Sequence, residues 1–111
     1  GLVDARDEVL KNIIVVYSQA SVRYASKMTD DLADGDTDDY DKHQAEGHAF
    51  YRVIEAYVAE YNTSNSDMIV AMFDLTNDGD ASADYEADIR AWLQPAWDHY
   101  GITAEDIGTL Q

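Results

Sequence analysis

The chain has no cysteine, a single proline and only seven basic residues among 111, and each scarcity closes off a class of chemistry. Without thiols there are no disulfides, no thiolate metal centres and no cysteine nucleophile, and the redox compartment stays open. Acidic residues outnumber basic ones 23 to 7 for a formal charge of −16, so the basic footprint that nucleic acid requires is missing. No apolar run approaches the roughly 20 residues of a membrane helix; the longest strong one is Ile13 to Tyr17. There is no glycine-rich phosphate loop, and no histidine stands in a recognisable nucleophile and base arrangement. The sequence therefore carries a fold and a suspected binding site, with no reaction.

What is present is helical periodicity. Val9, Ile13, Val16, Tyr17, Ala20, Tyr24 and Met28 recur at three- and four-residue steps, which predicts a first helix from Val3 or Asp4 to about Leu32 with this stripe inward. Asp4, Asp7 and Glu8 suit its amino end, where negative charge favours the macrodipole. Ala33 to Asp38 has no periodicity and holds a glycine among short polar residues, so it reads as a turn, with Asp36, Thr37 or Asp38 capping the next helix. That second helix is expected over Asp41 to Tyr61, with Phe50, Val53, Ile54, Tyr57, Val58 and Tyr61 inward.

Two long helices joined this closely form an antiparallel hairpin. Residues whose numbers sum to about 70 then face one another, so Phe50 lies near Ala20, and Gly47 lies opposite Arg23 or Tyr24, where its missing side chain leaves room for a ring. Asn62 to Ser66 reads as a polar linker. A short helix over Asp67 to Phe73 turns Met68, Ile69, Met72 and Phe73 inward. A last long helix, about Ala83 to Tyr100, buries Tyr85, Ile89, Trp92, Leu93, Ala96, Trp97 and Tyr100, and Pro95 inside it predicts a kink or break near Trp92. Gly101 ends that helix, and Thr103 caps a final short turn. The whole is one all-α helical bundle, a single domain of a size that buries about two thirds of its unfolded surface.

Three constellations carry chemistry. Followed backwards, the stripe of the second helix runs through Gly47 to Glu46 and His43, a carboxylate and an imidazole on one helical face. Asp31, Asp30 and Tyr24 on the first helix add oxygens, giving a mixed site that iron, manganese or zinc accepts. The bland alternative is a hydrogen-bonded network in which Glu46 meets Arg23 or Lys27 and His43 meets Asp31. His48 and His99 read as surface residues. The eight tyrosines and two tryptophans fall at core spacing rather than forming a binding platform.

The second constellation is Asp74, Thr76, Asp78, Gly79 and Asp80, which resembles the first half of a calcium-binding EF-hand loop. Position twelve, where a bidentate glutamate belongs, is Tyr85, and Glu86 falls one residue late. The third is Asn62-Thr63-Ser64, a glycosylation sequon that fits secretion in a eukaryote. Seventeen of the 23 acids are aspartate, a bias that helix propensity opposes. It suits a hydrated surface in saline surroundings, or divalent cations. Lacking both an initiator methionine and a signal peptide, the sequence reads as a mature form or a segment of a longer protein.

From Tyr17 to Glu55 the sequence resembles the algal iron-assimilation proteins induced by low iron or high carbon dioxide. Tyr17-Ser18-Gln19-Ala20, Arg23-Tyr24-Ala25, Lys27-Met28 and above all the run Lys42 to Glu55 carry the resemblance, with Asp106 to Leu110 also similar. It covers the whole domain loosely and about half of it closely. The resemblance implies a secreted or periplasmic protein, built of more than one such helical domain and associated with capturing iron outside the cell. It implies no ligand set, and the single-domain length departs from the family. Two functions thus stand side by side: extracellular metal binding, of iron first, without turnover, and a structural domain that self-associates, polymerises or repeats in tandem while cations screen its acidic surface.

Overall fold

Gly35, with φ of 71°, reverses the chain between its two longest helices. The computed structural model describes residues 2–108, with side chains from residue 7. Its elements are α1 (Leu2–Asp34), α2 (Thr37–Tyr61), α3 (Thr63–Phe73), α4 (Tyr85–Tyr100) and α5 (Ala104–Ile107). The all-α bundle is as expected: α1 and α2 form an antiparallel hairpin, with α3, α4 and α5 packed across one side of it. No helix is long and apolar enough to cross a membrane among the described residues. The side chain of Asp4, expected at the amino end, lies outside those described.

The turn is tighter than the sequence suggests, because Asp36 alone caps α2, its side chain accepting from the backbone N–H of Asp39. Asn62 shortens the next connection in the same way. It closes α2 and caps α3 at once, accepting from the Asn65 N–H, so the expected five-residue linker is mostly helix. α4 runs through Pro95 without the expected break. It ends at Gly101 in the left-handed region, where φ is 67°. At α5 Thr103 caps as expected, accepting from Asp106 N–H, and the Asp106 carboxylate accepts from Thr103 N–H in return, which satisfies two donors the helix end leaves free.

The hairpin register follows the sum near 70. Phe50 lies against Tyr17 and Tyr24, with ring centroids 6.2 and 5.5 Å apart. The inward faces are another matter. α1 buries Ile14, Ser18, Ser21, Val22, Ala25 and Met28, and α2 buries Tyr40, Gln44, Gly47, Tyr51, Ile54 and Val58. Of the expected stripes Met28, Gly47, Ile54 and Val58 lie in the core, and Tyr17, Tyr24 and Tyr61 pack partly buried against it. Small residues decide this: Ser18, Ser21 and Ala25 let α4 approach, and Trp97 donates its indole N–H to Ser18 Oγ at 3.0 Å. Gly47 faces the Phe73 ring of α3 rather than α1. Met68 is half exposed, while Ile69, Met72 and Phe73 are buried as expected.

Polar groups fix what the apolar contacts leave free. Gln44 is fully buried, and its amide nitrogen reaches the carbonyls of Met72, Asp74 and Asn77 at 3.1, 2.7 and 3.0 Å. It thereby pins the loop after α3 to the middle of the hairpin. Tyr40 adds its hydroxyl to the Asn77 carbonyl, and Gln19 holds the carbonyls of Asp106 and Ile107.

Candidate functional site

The turn end of the hairpin brings together Tyr24 and Asp31 of α1 with His43 and Glu46 of α2. His43 Nδ1 lies 2.6 Å from Asp31 Oδ2, with both side chains mostly shielded. The Tyr24 ring stands 5.9 Å from the His43 ring. Beside it, the Glu46 carboxylate raises the Tyr24 phenol above its ordinary 10.0, chiefly by hydrogen bonding, then by burial and by its charge. Lys27 sits over the outer side of the same ring, 5.7 Å from its centroid. His43 and Asp31 hydrogen-bond to one another, and Tyr24 and Glu46 stand beside them. Among the described residues no three His, Asp or Glu side chains are grouped to hold a metal ion. The pairing of His43 with Asp31 is the one the network alternative anticipates, whereas Glu46 meets Tyr24.

The acidic loop does not converge on a cation-sized point. Asp74 turns one carboxylate oxygen onto the backbone N–H and hydroxyl of Thr76, and Asp80 does the same with Ser82. These bonds lower both carboxyl pKa values. Asn77 caps Gly79 N–H, and Glu86 bonds Arg90 along α4 at 3.0 Å. Asp78 is exposed. Asp74 and Asp80 each fold their own short turn, the ordinary local use of these residues. Asn62 spends its side-chain oxygen on the α3 cap. His48 is half-buried, and His99 is exposed yet stacked on Tyr61 at 4.0 Å, with Tyr100 edge-on at 4.8 Å.

A second candidate is one the stripe reading misplaced. The large side chains expected inward stand on the hairpin side that α3, α4 and α5 leave bare: Val9, Val16 and Val53 are 60%, 56% and 47% exposed, and Ile13, Phe50 and Tyr57 more than a third. Two shallow grooves run along it. One, of about 250 Å³, is lined by Val16, Gln19, Ala20, Arg23, Tyr24 and Phe50; the other, of about 330 Å³, by Val9, Asn12, Ile13, Val16 and Tyr17. They share Val16, so the surface is continuous.

No protein-family model, curated protein or solved structure matches this chain.

Proposed function

We propose that this chain is a non-catalytic assembly domain that works outside the cell by packing the bare side of its hairpin against another helical surface. The observation that carries the reading is the apolar face formed by α1 and α2 together. Isolated exposed aliphatics need no explanation, but a continuous strip along two adjacent helices does, because it leaves a large apolar area in water. The acidic remainder of the surface keeps the domain hydrated and gives cations a screening role. The placement outside the cell rests on the sequon at Asn62 and on the resemblance to the algal iron-assimilation family.

Iron capture is the second reading, favoured by the meeting of Tyr24, Asp31, His43 and Glu46 at the turn end. These side chains offer one imidazole nitrogen and phenol and carboxylate oxygens, a set suited to iron or zinc. Holding an ion requires the His43–Asp31 pair to open toward Tyr24 and Glu46. Light scattering and metal analysis on one preparation separate the readings. Metal-free protein whose mass rises with concentration supports assembly. A concentration-independent monomer carrying stoichiometric iron overturns assembly in favour of metal binding.

A further inference from the structure

We propose that the occupant of the bare hairpin side is a second copy of this chain, packed end for end so that α1 lies on α1 of the partner and the two acidic turns point to opposite ends. This rests on the assembly reading and names its partner and geometry.

Spacing is the first argument. On the bare side of α1 the apolar residues Val9, Ile13, Val16 and Ala20 follow alternating steps of four and three, and on α2 the exposed Phe50, Val53 and Tyr57 follow steps of three and four. A 3.5-residue repeat is the pattern of helices that seat side chains between those of a facing helix. Here it runs on two adjacent antiparallel helices, which is half of a four-helix bundle.

Area is the second. At their observed exposures the six large apolar residues bare on the order of 500 Å², near the top of the roughly 300–600 Å² range for the largest patch on a monomer. Two helix widths along the 25 residues of α2 offer about 750 Å², close to the approximately 800 Å² per partner of a standard interface.

Charge selects the arrangement. Seven aspartates fall between residues 30 and 41, so a pairing that laid turn on turn would crowd two such clusters. The end-for-end pairing separates them along a molecule 51 Å long. It sets the exposed Arg23 of one copy beside Val9 of the other, clear of the partner's aspartate-rich turn. The two-fold axis then passes near Val16, midway between Val9 and Arg23. Such a contact is self-complementary and closes as a dimer.

The absence of native cysteine allows a clean test by disulfide trapping in the full chain. Val16→Cys alone forms a covalent dimer in high yield. Val9→Cys alone stays monomeric under the same oxidation, because its copies lie about 21 Å apart at 1.5 Å per residue. Val9→Cys mixed with Arg23→Cys gives the heterodimer. All three positions avoid the core, and circular dichroism checks that the variants fold. Association that survives Val16→Glu, or Val9→Cys coupling to itself, overturns the end-for-end dimer while leaving an assembly domain standing. Wild-type protein that remains monomeric at millimolar concentration in high salt overturns the second-copy proposal, and iron bound to that monomer overturns the assembly reading as well.

Discussion

Replacing Gly47 by alanine puts a methyl group where the Phe73 ring already lies. The added carbon would stand 2.9 Å from Cδ1 and 3.0 Å from Cζ of that ring, with Cε1 closer still. Real contacts are not this short, so something must move. Phe73 has no exposed surface, and its ring has no solvent to swing into. Overfilling a packed core costs about 1–3 kcal/mol, and replacing glycine inside a helix returns about 1 kcal/mol. The expected balance is a loss of about 1 kcal/mol, a fall in melting temperature of roughly 4–8 °C for a domain of this size. Urea titration followed by circular dichroism reads it. Phe73→Leu removes part of the ring, so in the Gly47→Ala background it should cost less than in the wild type, a coupling of about 0.5 kcal/mol or more. A Gly47→Ala variant more stable than the wild type would refute the close approach of α2 and α3.

The polar groups supply further expectations. Gln44→Leu keeps the volume and removes one donor from the carbonyls of Met72, Asp74 and Asn77, each of which keeps another partner, and should cost about 0.5–1.5 kcal/mol by the same titration. Hydrogen exchange in residues 72–77 should then quicken ahead of the rest. The carboxyls of Asp74, Asp80 and Asp106 are lowered by hydrogen bonds from their own turns, so their contribution is present above the ordinary 3.8 and is lost as pH falls through it. Asp39 is raised, first by its hydrogen bond with Asp36, and works in the opposite sense. All four are exposed, so high salt should weaken each of these contributions. At the turn end, His43→Ala and Glu46→Ala should each lower melting temperature with or without iron if the four residues serve only to hold the two helices together. Loss of bound iron or zinc in both variants and not in His99→Ala would establish the metal reading instead.

The elements were legible in the sequence where local chemistry fixes them. Gly35 and Asp36 mark the turn, Gly101 the end of α4, and Thr103 with Asp106 the capping of α5; each acts through its immediate neighbours. The hairpin register was legible too, because a short turn leaves long helices little freedom. The inward face was not. Periodicity weights large aliphatics, and Val9, Ile13 and Val16 draw the stripe toward themselves, whereas the packed side of α1 uses Ser18, Ser21 and Ala25. Their value lies in what they admit: the Trp97 indole meets Ser18 across 79 positions of sequence. Gln44 reads as an unremarkable polar residue until the loop carbonyls 28 to 33 residues later close over it. At the turn end the spacing located four neighbours and, in its network alternative, the pairing of His43 with Asp31, but not Glu46 beside Tyr24, because either helix can rotate by tens of degrees and still present them. The same rotation explains the bare side, since one stripe cannot both fill the core and face away from it.

Sedimentation equilibrium of the wild type beside Val16→Glu, across a series of salt concentrations, tests the assembly surface most directly. Val16 is 56% exposed, so the glutamate leaves the monomer folded while placing two like charges together at the contact. The wild type should move from 12.4 kDa toward twice that mass as concentration rises. Added salt should strengthen the association, because it screens a charge of −16 on each copy while leaving apolar burial in place. Val16→Glu should weaken it by roughly a hundredfold. A wild type that stays at 12.4 kDa throughout, or a variant that associates as well as the wild type, would contradict the account.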